Sequence, residues 1–157
     1  MSVSDHVVTA NRVESRNKPI IKVTCAIIER DGRVLAAQRS EAMSMSLKWE
    51  FPGGKLEDGE DPAACLIREI REELGVDVRI LHALSPVLHD YGTWTIELLP
   101  FICEITSGGI VLHEHRAITW KEPRQLLDLD WPDADIPVIR EYLEYSAKGE
   151  CAGETRD

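Results

Sequence analysis

Between Gly53 and Val76 the chain reads GGKLEDGEDPAACLIREIREELGV and carries seven carboxylates: Glu57, Asp58, Glu60, Asp61, Glu69, Glu72 and Glu73. If the stretch is helical, Glu69, Glu72 and Glu73 fall three and four residues apart and project from one side of about one turn. Like charges so placed repel one another and weaken an isolated helix. Arg68 and Arg71 sit among them and relieve part of that strain, and Glu60, just ahead of the helix start, can pair with Arg68. A solvated helix face laced with salt bridges is the plain alternative. The turn before the helix favours another reading. Gly53 and Gly54 permit close backbone approach, and Lys55 follows at once. A hard divalent cation explains the arrangement, because Mg²⁺ takes few carboxylates, keeps waters and bridges to phosphates.

The elements that must hold these groups follow from pattern. Residues 20–29, IIKVTCAIIE, predict a strand; RDGR turns it at Gly32, and 34–39 returns as its partner. A loop leads to WEFPGGK, where Pro52 and two glycines should break regular structure. Asp61 is a candidate N-cap with Pro62 at the first helical position, and Gly75 should stop the helix after Leu74. On this helix Ala63, Leu66, Ile67, Ile70 and Leu74 recur at helical spacing and mark the core face. Residues 76–84 and 93–106 predict strands, the second weakened at Pro100. SGG at 107–109 should turn into a short strand, and 116–121 predicts another. Pro123 opens a short helix through Leu127, and 133–147 an amphipathic one. The expected organisation is a flexible arm over 1–18, one α+β domain over 19–147 with helices on a mixed sheet, and a flexible tail over 148–157.

Composition narrows the function. The 157 residues suit one domain with a full core. A net charge of −10 argues against a nucleic-acid track, which needs clustered Lys and Arg, but not against a nucleotide bound through a metal ion. Cys25, Cys65, Cys103 and Cys151 form no C-x-x-C pair, and three lie in apolar contexts, so zinc is not expected and a reducing compartment fits. The polar opening MSVSDHVVTANRVESRNKP has no signal-peptide character, and no apolar run approaches a membrane span. A cytoplasmic protein without a membrane partner, monomeric or homodimeric, is expected.

Gly54, five residues, Glu60, seven residues, then Arg68-Glu69-Ile70-Arg71-Glu72-Glu73-Leu74-Gly75-Val76 matches every defined position of the Nudix box. By this resemblance the chain is similar to Nudix hydrolases. That implies their α/β/α sandwich and Mg²⁺- or Mn²⁺-dependent hydrolysis of a nucleoside diphosphate linked to another moiety. It also implies metal-binding roles for Glu69, Glu72 and Glu73, with the Gly53 carbonyl as a further ligand and Arg68 as a catalytic-site residue.

Features outside the box resemble the MutT-like branch, which removes pyrophosphate from nucleoside triphosphates. WEFPGGK runs directly into the box, and the resemblance makes Glu50, Phe51, Pro52, Gly53 and Lys55 candidate substrate contacts. Arg39, fifteen residues before Gly54, stands where that branch places a phosphate- or nucleotide-contacting Arg. WPDADIPVI resembles the base-reading segment, with Asp135 where the best-known type has Asn. HEHRAITW resembles the loop that supplies one more metal ligand, here Glu114. Glu69 and Glu114 are both candidate general bases. Plain alternatives stand beside these. Arg39 can be a strand-end cation, Phe51 a gap filler, Trp49 and Trp94 core residues, and Asp135 a helix cap. His113 and His115, alternating on a turn, are expected at the surface rather than on a metal.

The implied reaction is hydrolysis of a nucleoside triphosphate at the β-phosphorus, giving monophosphate and pyrophosphate, with 8-oxo-dGTP favoured. The argument for guanine is that an ionised Asp135 only accepts hydrogen bonds and so suits paired donors. CTP or a modified pyrimidine triphosphate, an ADP-sugar or dinucleoside polyphosphate, and a non-catalytic nucleotide sensor are the alternatives.

Overall fold

The computed structural model describes residues 18–156, with side chains through residue 149. Strand order explains the apolar run at its start. β1 (Ile20–Arg30) lies inside the sheet, parallel to β7 (Thr95–Ser107) over nine register pairs and antiparallel to β4 (Gly53–Lys55). A strand covered on both faces needs no polar alternation. Cys25 and Ile27 enter one core, with Val138, Ile139 and Tyr142 of the last helix. Ala26 and Ile28 enter the other, with Leu66, Ile70 and Leu74 of the acidic helix. Each of those large side chains contributes about 1.5–3 kcal/mol on burial. The result is a mixed sheet with a helix on each face, the α/β/α sandwich of α+β class that was expected.

β1 turns through Asp31 (φ 53°) and Gly32 (φ 75°) into β2 (Arg33–Gln38), a hairpin needing positive φ at both central residues. β2 pairs with β3 (Trp49–Glu50) and with β8 (Ala117–Lys121). β7 pairs with β5 (Asp77–Ala83) and β6 (Val87–Asp90). α1 (Pro62–Leu74) forms as its caps dictate: Ala64 N–H donates to Asp61 Oδ2 at 3.1 Å, and Gly75 closes the helix at φ 70°. A cap of this kind is worth about 0.5–2 kcal/mol.

Several elements differ from expectation. WEFPGGK is not irregular: β3 and β4 flank Phe51 and Pro52, and the Pro52 carbonyl accepts from Ala26 N–H at 2.8 Å. β6 is a further strand between those expected over 76–84 and 93–106. β7 passes through Pro100 unbroken, because the missing N–H falls between β6, whose pairing ends at Leu98, and β5, whose pairing begins at Phe101. No strand follows the turn at 107–109. There Val111 and His113 donate their N–H groups to the carbonyls of Leu74 and Glu73, filling acceptors that a helix end leaves open. The short helix Pro123–Asp128 is 3-10. The last helix, α2 (Asp135–Arg156), starts two residues later than expected and continues past Lys148. Apart from Lys18, the expected N-terminal arm lies outside the described residues. Among the described residues no helix is long and apolar enough to cross a membrane.

Candidate active site

The site begins where α1 meets β4. A Cβ on Gly53 would stand 2.0 Å from the Thr24 carbonyl oxygen, and one on Gly54 would stand 2.2 Å from the Glu69 carboxyl carbon. Only glycine lets β4 lie on β1 while the helix carboxylate rests on its backbone. Cys65, Leu66, Ile70 and Leu74 face the sheet, which turns Glu69 and Glu73 toward β4 and leaves Glu72 59% exposed.

Glu73 is only 8% exposed, and its Oε2 has no hydrogen-bond partner among the described residues. Burial first, then the charges of Glu50, Glu114 and Glu69, push its carboxyl up to about 8, against a hydrogen bond from the Gly53 backbone. Burial also raises Glu69; Arg68 opposes the shift, and Glu72 and Glu114 add to it. Glu114 itself is exposed, on the loop that Val111 and His113 tie to the end of α1. Arg68 is the internal counter-charge. It donates to Glu60 at 2.9 and 3.0 Å, to Glu69 at 3.0 Å and to Glu72 at 3.3 Å. Its hydrogen bond, with a lesser one from Glu57 N–H, holds the Glu60 carboxyl down at about 2.

Among the described residues no three acidic, His or Cys side chains converge closely enough to hold an ion as they stand. Arg68 draws Glu69 and Glu72 to itself. The donor set still fits a hard cation: a buried carboxylate oxygen lacks a partner, three further carboxylates act on it, and the glycines open the space beside it.

A hollow of about 350 Å³ runs from this cluster across the sheet end. Glu73, Gly53, Gly54, Lys55, Arg39, Glu50, Tyr91, Trp94 and Asp135 line it. A hollow of about 580 Å³ lies at the β1–β2 turn against Glu122–Arg124, away from the acidic cluster. Arg39 is no free surface cation. It donates to Glu50 Oε1 at 2.6 Å, to the Ser44 carbonyl at 2.6 Å and to Ser44 Oγ at 3.2 Å. Asp135 is the first residue of α2, and its carboxyl is buried. Burial, then Glu50, push it up to about 8, with Arg39 opposing. The loop before it is fixed by Trp131, whose Nε1–H donates to Leu126 O at 2.6 Å, and by Ala134 N–H, which donates to the Tyr91 hydroxyl at 3.2 Å.

The fold therefore brings Arg39, Glu50, Phe51, Gly53, Lys55, Asp135 and Glu73 around one pocket. Glu69, Glu72, Arg68 and Glu114 stand outside its lining, on the acidic side. Pro52 is buried outside that lining and contributes its carbonyl to β1. Phe51 is largely core, its ring 4.7 Å from that of Trp131. The surface expectation fails for His115: it is buried, with Nε2 2.7 Å from Glu50 Oε2, whereas His113 is exposed. Tyr91 and Trp94, stacked at 4.9 Å, were not read as a pocket wall. Two aromatics flanking the turn YGTW were the available signal.

A sheet with a helix on each face, a carboxylate-bearing helix pressed on a diglycine strand and an adjoining pocket define a class. The NUDIX domain pattern matches residues 18–142, and the chain belongs to that family, the Nudix hydrolases. It is 34% identical over 128 residues to the CTP pyrophosphohydrolase of Escherichia coli, covering 82% of this chain and 95% of that one. It is 36% identical over 114 residues to the putative 8-oxo-dGTP diphosphatase 2 of Mycobacterium tuberculosis, covering 72% and 81%. Among solved structures, the E. coli ORF135 protein superposes with a TM-score of 0.74 at 32% identity, over 85% of this chain and 95% of that one. The MutT protein of Staphylococcus aureus gives 0.66 at 41% identity, over 78% and 95%.

Proposed function

We propose that the chain hydrolyses nucleoside triphosphates to nucleoside monophosphate and pyrophosphate, in the cytoplasm, with 8-oxo-dGTP as the favoured substrate. The observation that carries this is the buried Glu73 Oε2, which has no hydrogen-bond partner among the described residues and belongs to a side chain lining the same pocket as Gly53, Gly54 and Asp135. Glu69, Glu72, Glu73 and Glu114, with the Gly53 carbonyl, would hold Mg²⁺ or Mn²⁺, which when bound offsets phosphate charge and makes a water more acidic. Arg39, held by Glu50 and Ser44, presents its guanidinium to the pocket, where a planar cation suits phosphate. Glu69 or Glu114 takes a proton from the attacking water. The water oxygen bonds to the β-phosphorus as the bond from that phosphorus to the α–β bridging oxygen breaks, and that oxygen leaves on the monophosphate.

The burial of Asp135 revises the guanine argument. A carboxyl pushed up to about 8 keeps its proton at neutral pH, so it both donates and accepts. It can serve guanine through O6 and N1–H, and equally cytosine through N3 and the 4-amino group. This observation admits CTP beside 8-oxo-dGTP, and CTP stands as the second reading. Product analysis across a nucleotide panel with Mg²⁺ tests the function. 8-oxo-dGTP and CTP should head the panel; preference for an ADP-sugar, or binding without turnover, would overturn it.

A further inference from the structure

Glu50 is where the acidic side and the pocket meet. Its Oε1 accepts from Arg39, its Oε2 faces His115, and its charge reaches both Glu73 and Asp135. His115 is the member with no role so far. Its side chain is 1% exposed, and its Nδ1 has no partner among the described residues. An orphaned buried nitrogen costs about 1–3 kcal/mol, so an apolar side chain would fill the space at lower cost. The polar bond to Glu50 is what a histidine adds there. A carboxylate accepts and does not donate, so Nε2 carries the proton in this pair.

The backbone holds the pair in reach. Glu50 on β3 is in register with Ala37 of β2, and Ala37 is in register with Ile118 of β8. Just before β8, Arg116 N–H donates to Gln38 O at 2.9 Å, anchoring the residue after His115 to the end of β2.

We propose that His115 is a positioning residue: by donating to Glu50 Oε2 it fixes the carboxylate whose Oε1 holds Arg39 at the nucleotide pocket, and so ties the Glu114 loop to that pocket. This rests on the triphosphate pyrophosphohydrolase reading above. Arg39 keeps its two bonds to Ser44, so losing His115 loosens the guanidinium without releasing it. The discriminating variants are His115→Gln, which keeps a donor, and His115→Leu, which keeps bulk alone. His115→Leu should raise KM for the triphosphate by roughly three- to tenfold with kcat within about twofold, and His115→Gln should restore most of it. In an Arg39→Ala background, His115→Leu should add little, because the two act on one contact. In the metal-free protein, the resonance of the Arg39 Nη1 protons, which face Glu50 Oε1, should shift in the Leu variant and hold in the Gln variant. Equal KM for the Leu variant and the wild type, equal loss in both variants, or an unmoved Arg39 resonance would overturn the positioning role. A wild type without triphosphate turnover would overturn the function instead, and the resonance would still decide the role of His115.

Discussion

The backbone carbonyl of Glu73 accepts the N–H of His113 at 3.3 Å, so the helix end that carries one carboxylate also anchors the loop that carries Glu114. One helix terminus thus gathers acidic groups from two parts of the chain, and the charge of Glu114 raises Glu69 and Glu73. The loop forgoes strand pairing because helix carbonyls already occupy its N–H groups.

Glu73→Gln should lower turnover at limiting Mg²⁺ by roughly a hundredfold or more, since the amide loses the charge that a hard cation needs. In EDTA its effect on stability has a sign. The folded Glu73 carboxyl sits at about 8, above the ordinary 4.5, so the folded chain binds the extra proton between those values. That contribution is complete below about pH 4.5 and is lost as pH rises through 8. Gln cannot ionise. The variant should therefore melt a few degrees above wild type at pH 8.5 and near it at pH 5. Parallel melting curves across that range would mean that Glu73 is not buried.

Gly53→Ala and Gly54→Ala should fail differently. The new methyl at 53 meets the Thr24 backbone, which cannot yield, and the melting temperature should fall by many degrees. The methyl at 54 meets the Glu69 side chain first, so the fold should survive while kcat drops at least about tenfold as Glu69 is displaced. Thermal melts and initial rates separate the two.

Arg39→Ala should raise KM for the triphosphate by about tenfold with a smaller change in kcat, because the contact exists in ground and transition states alike. It also strips Glu50 of its guanidinium partner, so a stability loss of about 1–3 kcal/mol should accompany it. Wild-type kinetics in the variant would return Arg39 to a structural role.

Asp135→Ala should lower kcat/KM for 8-oxo-dGTP, and for CTP, on the order of a hundredfold more than for dTTP, since a pocket that hydrogen-bonds its ligand discriminates through the unpaired group. A uniform loss that tracks the melting temperature would reduce Asp135 to a helix-capping residue.

The parts of the site legible in the sequence are those encoded locally. Asp61, Pro62 and Gly75 delimit α1, its 3.6-residue period sets the buried face, and the Glu60–Arg68 pair lies within that same segment. What was illegible depends on distant partners. His115 and Glu50 are 65 positions apart, and nothing near His115 announces a carboxylate. Ile110, Val111 and Leu112 have strand-like composition, yet Val111 gives its N–H to the Leu74 carbonyl of α1, while Ile110 and Leu112 pack on the core that α1 covers. The proton on Asp135 is likewise a property of burial and of Glu50, not of the residue type.

Hydrolysis in ¹⁸O-labelled water, read by mass spectrometry of the products, tests the central claim most directly. With 8-oxo-dGTP or CTP and Mg²⁺, the label should enter pyrophosphate and leave the nucleoside monophosphate unlabelled, as attack at the β-phosphorus requires. Label in the monophosphate, or release of orthophosphate with nucleoside diphosphate, would contradict it.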